Sequence, residues 1–352
     1  MNKETNHAML DMMLRPAFCA VAGSIQKCNA AAASLLLKEG TPLESLLLSG
    51  QEELEALQSG CLYLQLRLPG GTRGAAVTRM EEALIFVLDQ EDGELRALSL
   101  AARELRNPVN NLLAISSQLL PAALPERDPK VSDLLARMSK GLYQLQRTLG
   151  NMSDGAHASE MSCKEVRNIS RVFDDIFEKA AAFLALSGVT LHYRGLDQDV
   201  FGLLDADQME RAVLNVLSNA MKFLPDQGEI HASLTRQGNT LRLSIQDNGD
   251  HIPSEILGSL FSRYLRQPGI EDSRHGLGLG MVMIRAAAAS HGGVVLGDQP
   301  GETGTRVTLT IMLCQSDSSK VQSVCRSPLG GRNQALIELS DFLPPSVYEK
   351  EL

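Results

Sequence analysis

The sequence has no long hydrophobic run. No stretch approaches the about 18 to 20 consecutive apolar residues that a membrane-spanning helix needs; the apolar run Ala83–Leu88 has six residues. The first residues also lack the apolar core of a signal peptide. We therefore expect a cytoplasmic protein without a membrane span.

An excess of basic residues is also missing. Lysine and arginine total 33 against 42 aspartates and glutamates, which gives a net charge of -9. Binding to nucleic acid depends on cations that neutralise phosphates, so an acidic chain without a basic run is a poor candidate for it. A nucleotide site needs only a few local cations and stays open.

Closely spaced cysteine pairs are absent as well. None of the cysteines forms a C-x-x-C pair, and such spacing is the usual sign of zinc or redox sites. We expect incidental thiols rather than zinc ligands or disulfides at all six positions: Cys19, Cys28, Cys61, Cys163, Cys314 and Cys325.

What is present is an ordinary globular composition, with 44% hydrophobic and 21% charged residues over 352 positions. At roughly 150 residues per domain, this length predicts two or three domains. Residues 1–92 alternate short apolar runs and turns, which predicts strands over 17–21, 24–28, 62–68, 75–80 and 83–88. Asn29 is placed to cap a helix that reaches Leu37.

Residues 93–157 change to a helical period. Two apolar seams with spacings of three and four residues are separated by a proline-rich loop, which predicts an antiparallel helical hairpin. The first seam has one polar position, Ser116. One hairpin cannot cover both seams, so a dimeric four-helix bundle is the natural solution; a bundle with other helices of the same chain is the alternative.

Residues 158–314 alternate helices and strands, an α+β pattern with helices on one face of a mixed sheet. Asp205 is placed to cap a strong amphipathic helix over 206–223. We interpret residues 315–352 as a flexible tether and a short apolar-acidic tail of unknown role.

Three polar segments of this last domain suggest chemistry. Asn215, Asn219 and Lys222 share one face of the helix, where amide oxygens suit Mg²⁺ and an ammonium suits phosphate; a solvated face is the alternative. Asp247–Asn248–Gly249 lies at the end of a strand, where a plain β-turn is the alternative interpretation. Glycines 276, 278 and 280 open a helix, where the backbone can approach phosphate, although a flexible loop has the same composition.

In this order and spacing, the three segments resemble the N, G1 and G2 boxes of sensor histidine kinases. Residues 260–266, 289–293 and 304–305 are similar to the family's F box and closing segment. The resemblance implies an α/β-sandwich ATPase domain with a lid between Phe261 and Gly276. It also implies the cofactors ATP and Mg²⁺, with Asn219 chelating Mg²⁺, Asn215 lining the site, Lys222 meeting phosphate and Asp247 accepting the adenine amine. Gly276, Gly278 and Gly280 would hold the lid against the phosphates, and Gly249 and Thr305 are further cofactor-binding residues.

The hairpin carries the main departure from this family. Residues 102–108 resemble its H box, but Arg103 stands at the position of the phosphoacceptor histidine. A guanidinium stays protonated and offers no lone pair for attack on phosphorus. Glu104 and Asn107 keep a pattern that in this family supports dephosphorylation of a response regulator. A second departure is His251, which replaces a G1 glycine beside the lid hinge.

Residues 1–92 loosely resemble a PAS-like sensory module; a dimerising or spacing domain without a ligand is the alternative. The expected fold is multidomain: this module, the hairpin of a dimeric bundle, and the ATPase domain. The expected function is two-component signalling by a homodimer that binds Mg-ATP and the receiver domain of a response regulator. Autophosphorylation at the usual site is not expected, as in a pseudokinase. Alternatives are a response-regulator phosphatase and a nucleotide-gated scaffold without enzymatic activity.

Overall fold

A computed structural model describes residues 10–89, 93–119, 129–155, 163–225, 227–251, 279–301, 303–313 and 333–349. The proposed lid, Gly276, Gly278 and the proposed tether lie outside these residues.

The N-terminal module is an antiparallel sheet in the order β2-β1-β5-β4-β3. Its strands are β1 (Ala17–Val21), β2 (Ser24–Cys28), β3 (Cys61–Leu68), β4 (Gly71–Met80) and β5 (Ala83–Leu88). All five strands were predicted, because short apolar runs between glycine turns are a strong local signal. Short helices α1 (Ala30–Ala33) and α2 (Gln51–Ala56) accompany the sheet.

Asn29 caps α1 as predicted, since its side chain accepts a hydrogen bond from the Ala32 amide. The predicted extension of this helix to Leu37 is wrong. Leu36 has a φ of 65°, a left-handed conformation that cannot continue an α-helix. Leu37 is therefore buried without being helical, whereas Leu36 is exposed.

The predicted hairpin forms from α3 (Gly93–Leu119) and α4 (Pro129–Gly155), which pack against each other. Ser116, the polar position of the first seam, is buried and lies 2.8 Å from the Ser139 hydroxyl of α4. This pair satisfies both hydroxyls inside the hairpin, where an unpaired polar group would be costly.

The C-terminal half contains a mixed sheet in the order β11-β12-β10-β9-β7, in which only β7 and β9 pair in parallel. Its strands are β7 (Thr190–Arg194), β9 (Glu229–Gln237), β10 (Thr240–Asp247), β11 (Val295–Asp298) and β12 (Arg306–Met312), while β6 (Glu165–Asn168) and β8 (Phe201–Leu204) form a separate pair. Helices α5 (Ile169–Ala185), α6 (Ala206–Ala220) and α7 (Leu279–Ser290) complete the predicted α+β pattern.

The two sheets are joined into one of ten strands, an arrangement that the sequence does not predict. Strand β3 pairs antiparallel with β11, with Leu62 opposite Leu296. The approach is close enough that a Cβ on Gly60 would lie 2.2 Å from the Gly297 carbonyl oxygen. Arg285 on α7 adds an ion pair to Asp89 at 3.3 Å.

The C-terminal segment, residues 333–349, is a docked part of the structure. It consists of α8 (Gln334–Glu338) and a 3₁₀ helix (Pro345–Glu349). Its apolar side chains belong to the same buried cluster as the hairpin and the C-terminal half, and those fully buried include Leu336, Leu339, Leu343 and Tyr348. The tail that the sequence left without a role therefore packs against both.

No helix among the described residues is both long and apolar enough to cross a membrane. Cys163 is disulfide-bonded, so the expectation of an incidental thiol is wrong at this position. Cys19 and Cys28 are free thiols.

Candidate nucleotide site

Helix α6 positions the first group of predicted site residues. Asp205 caps it, with its carboxylate accepting a hydrogen bond from the Gln208 amide at 3.0 Å. The apolar face buries Met209, Val213 and Leu217, which fixes the rotation of the helix. Asn215 and Asn219 follow in its C-terminal half, as the helical period predicts. The helix ends at Ala220 and not at the predicted residue 223, so Lys222 lies two residues beyond it.

Asn215 is buried, and its amide group is only partly satisfied. Its Nδ2 donates to the Arg211 carbonyl oxygen at 2.9 Å and to the Glu338 carboxylate at 3.1 Å. Its Oδ1 has no hydrogen-bond partner among the described residues. A Cβ on Gly280 would lie 2.7 Å from this oxygen, so the start of α7 approaches Asn215 as only a glycine permits.

Asn219 and Lys222 form a hydrogen-bonded pair beside this oxygen. The Lys222 ammonium donates to Asn219 Oδ1 at 3.0 Å, and Asn219 Nδ2 lies 3.3 Å from the Met281 sulfur. Burial lowers the pKa of Lys222 to about 8; the nearby Arg147 charge also lowers it, and Asp341 opposes the shift. The protonation of Lys222 therefore depends on its burial and on the charges of Arg147 and Asp341.

Asp247 lies at the end of β10 with a fixed carboxylate. Its Oδ1 accepts hydrogen bonds from the backbone amides of Gly249 at 2.9 Å and Thr305 at 3.1 Å. Burial raises the pKa of Asp247, while these hydrogen bonds oppose the rise. Gly304 must be a glycine here, because its φ is +81° and an added Cβ would lie 1.9 Å from the Asp247 carbonyl oxygen.

The loop after β10 joins the first two predicted segments. The Asp250 amide donates to the Phe223 carbonyl oxygen at 3.1 Å, just after α6. A Cβ on Gly249 would lie 2.5 Å from the same oxygen, which explains the glycine. The structure therefore brings the segments around Asn219, Asp247 and Gly280 together. His251 is exposed at the end of the described loop.

The predicted H-box residues lie on α3. Glu104 and Asn107 are exposed, three residues apart on one helix. Arg103 lies in the same helix, and its side chain is outside the described part of the structure. Pro108 is accommodated inside the helix.

Three charged residues at this site were missed by the sequence analysis: Arg147, Arg211 and Glu338. The Glu338 carboxylate is 1% exposed and receives hydrogen bonds from Arg147, Arg211 and Asn215, all far away in the sequence. No local pattern could have paired them. The only signal is a glutamate within the apolar run of the C-terminal segment.

One group of possible metal ligands occurs among the described residues outside this site. His192, Glu229 and His231 lie on β7 and β9 with their ligand atoms within 4.8 Å of one another. All three are exposed, on the sheet face opposite to the buried Ile230. This group is distinct from the oxygen-rich site, where Asn215 and Asn219 are the candidate ligands for Mg²⁺.

Comparisons with known proteins find a family match over the part of the chain that contains this site. Residues 204–315 match the family described as histidine kinase-, DNA gyrase B-, and HSP90-like ATPase. The sensor histidine kinase TmoS of Ectopseudomonas mendocina is 28% identical over 211 residues, which is 57% of this chain and 21% of TmoS. The histidine protein kinase DivJ of Caulobacter vibrioides is 26% identical over 228 residues, 62% of this chain and 37% of DivJ.

The adaptive-response sensory kinase SasA of Prochlorococcus marinus is 25% identical over 223 residues, 61% of this chain and 56% of SasA. The matches thus span between about a fifth and just over half of these relatives. Residues 204–315 therefore carry a domain of this ATPase family, and the relatives that the chain resembles are sensor histidine kinases.

Solved structures with some similarity include ShkA in complex with AMPPNP, with a TM-score of 0.49 and 16% identity over 63% of this chain and 47% of ShkA. The mycobacterial sensor histidine kinase MprB has a TM-score of 0.36 and 25% identity over 43% of this chain and 98% of MprB.

Proposed function

We propose that this chain binds Mg-ATP through residues 205–310 and acts in two-component signalling. In this proposal, residues 1–92 form the PAS-like module, 93–157 the dimerising and regulator-docking hairpin, 158–314 the ATPase domain and 315–352 the tether and tail. The observation that carries the proposal is the convergence of Asn219, Asp247 and Gly280, which lie far apart in the sequence.

The described residues fit a magnesium nucleotide. The orphaned Asn215 Oδ1 and the neighbouring Asn219 Oδ1 are oxygen ligands of the kind Mg²⁺ prefers. Lys222 supplies positive charge for phosphate, and the fixed Asp247 carboxylate is an acceptor for the adenine amine. Gly249 and Thr305 orient that carboxylate through their amides. When bound, Mg-ATP would supply a phosphoryl group.

Autophosphorylation at the usual position is not part of this proposal. Transfer of a phosphoryl group depends on positioning and charge stabilisation, and it still needs a nucleophile. Arg103 has no usable lone pair near neutral pH. The chain would then be a histidine kinase homologue whose hairpin no longer accepts phosphate.

A response-regulator phosphatase is the second candidate. Glu104 and Asn107 are exposed on α3, where a receiver domain could reach both. In that reaction the phosphate is already on the regulator, so the hairpin only positions water and stabilises charge. A nucleotide-gated scaffold without enzymatic activity remains the alternative if Asn107→Ala leaves dephosphorylation unchanged.

Nucleotide binding is tested by calorimetry with Mg-ADP and Mg-ATP. Asp247→Asn removes a charge-assisted hydrogen bond of ~1.5 to 3 kcal/mol, which weakens binding roughly ten- to a hundredfold. The matched control is Asp250→Asn, an exposed acid three residues further on, which should bind like the wild type. The proposal would be refuted if neither nucleotide bound to the folded wild type or to a variant in which residues 333–349 no longer dock.

A further inference from the structure

Helices α4 and α6 together form a carboxylate-binding site that Glu338 fills. Its Oε2 lies 3.3 Å from Arg147 Nε and 3.1 Å from Asn215 Nδ2. Its Oε1 lies 3.4 Å from Arg211 Nε and 2.9 Å from Gln334 Nε2. Two guanidinium groups and two amides thus surround one buried carboxylate.

The site is specific for an anion. A buried carboxylate is costly unless it is paired and hydrogen-bonded, and the same holds for the buried guanidinium of Arg147. Four donors satisfy Glu338, and removing its charge would take away the counter-ion that Arg147 and Arg211 share. The segment is therefore held by charge recognition as well as by apolar burial.

Further contacts attach the segment to α4 of the hairpin. Lys140 donates to the Leu343 carbonyl oxygen at 2.8 Å, and Gln144 donates to Asp341 at 3.2 Å. The rings of Tyr143 and Tyr348 lie 5.0 Å apart. The segment therefore connects the hairpin with the helix that carries the candidate nucleotide ligands.

This anion site and the candidate nucleotide site share residues. Asn215 binds Glu338 through Nδ2, while its Oδ1 is the orphaned oxygen that faces Gly280. Arg147 bonds Glu338, Asp341 and the Ser218 hydroxyl, which lies one residue before Asn219. Carboxylates of the segment thus stand beside the groups proposed for Mg²⁺ and phosphate.

We propose that residues 333–349 are an intramolecular ligand of the nucleotide site, in which Glu338 occupies a carboxylate site made by Arg147, Arg211 and Asn215 and competes with Mg-nucleotide. This inference rests on the proposed nucleotide binding. Competition at a shared asparagine is reciprocal: nucleotide weakens docking of the segment as much as the segment weakens nucleotide binding.

The test uses the full chain with Glu338→Lys, which places a cation against two arginines, and the isosteric Glu338→Gln as a milder second variant. Asp197→Lys is the control, since it makes the same charge change at an exposed position between β7 and β8. Calorimetry measures the affinity for Mg-ADP, and hydrogen exchange measures protection of residues 333–349.

Both Glu338 variants should bind Mg-ADP more tightly, by roughly five- to a hundredfold for Glu338→Lys, and Asp197→Lys should match the wild type. Saturating Mg-ADP should accelerate exchange in the wild-type segment. Unchanged affinity in both Glu338 variants, or increased protection on adding nucleotide, would overturn the competition while leaving nucleotide binding intact. If neither wild type nor variants bind nucleotide, the proposed function fails together with the competition. Equal exchange in nucleotide-free wild type and Glu338→Lys would refute the carboxylate site itself.

Discussion

At the scale of single residues, Lys222 makes nucleotide binding dependent on pH. Its pKa of about 8 lies below the usual 10.5, so the ammonium is mostly charged at pH 7 and mostly neutral at pH 9. If this charge meets phosphate, the affinity for Mg-ADP should fall about tenfold between these pH values. Lys222→Arg should abolish the dependence, because arginine stays charged.

Calorimetry at pH 7, 8 and 9 checks this prediction, and the same affinity at all three values in the wild type would contradict it.

The lowered pKa of Lys222 also affects the stability of the fold. Between pH about 8 and 10.5 the unfolded chain holds the Lys222 proton more tightly than the folded chain does. The contribution of Lys222 to the free energy of unfolding therefore increases over this window and is constant above it.

Some residue roles were predictable because their partners are local. The caps at Asn29 and Asp205 were expected from residue type and position, and the structure confirms both. The pairing of Ser116 with Ser139 and the burial of Glu338 depend on contacts between distant segments. A sequence shows that such polar residues interrupt apolar runs, but it does not show what satisfies them.

At the scale of elements, the hairpin buries one part of its apolar seams and exposes another. Leu142 is 9% exposed and packs in the cluster that includes the C-terminal segment, whereas Leu105 and Leu112 on α3 are 54% and 51% exposed. This exposed stripe supports the proposed homodimer, since contiguous apolar surface usually marks an interface. Leu142 would report on folding of the chain instead.

Leu105→Glu or Leu112→Glu should convert the dimer to a monomer, because each would place an unpaired carboxylate in the bundle. Asn111→Glu is the control, an exposed polar position beside Leu112 that should leave the dimer intact. Light scattering at tens of micromolar protein distinguishes these outcomes. A monomeric wild type, or a dimer in both leucine variants, would rule out this seam as the interface.

Element types were largely predictable, because apolar periodicity is a local signal for helices and strands alike. Strand pairing across the molecule was not. Strand β3 meets β11 through backbone hydrogen bonds, which carry no side-chain code, although Gly60 marks the close approach. Arg285 at this junction lies 4.5 Å over the Tyr63 ring, a contact that no spacing in the sequence indicates.

At the scale of the whole molecule, the ten-stranded sheet and the C-terminal segment connect all parts of the chain. The sheet joins the N-terminal module to the strands that carry Asp247. The segment joins α4 to α6 through Glu338. If the nucleotide site and the hairpin each have discrete alternative arrangements, a signal received by any part can shift both together.

The proposed loss of the phosphoacceptor can be tested in the intact protein. Wild type incubated with radiolabelled ATP should show no acid-labile phosphohistidine on residues 93–157, because Arg103 cannot attack phosphorus. Arg103→His restores a nucleophile beside Glu104, which can serve as its base. Phosphohistidine should then form at position 103 in this variant, and the wild-type hairpin should stay unlabelled.

Arg103→Ala distinguishes phosphate acceptance from the proposed phosphatase activity. It should remain unlabelled and should keep any dephosphorylation of a phosphorylated receiver domain, since that reaction relies on Glu104 and Asn107 and not on residue 103. Combining Arg103→His with Glu338→Lys should increase labelling further, because release of the segment frees both the nucleotide site and α4. Strong labelling of wild-type residues 93–157 would show that the hairpin accepts phosphate by another residue, and the assignment of Arg103 as the cause of lost transfer would be wrong.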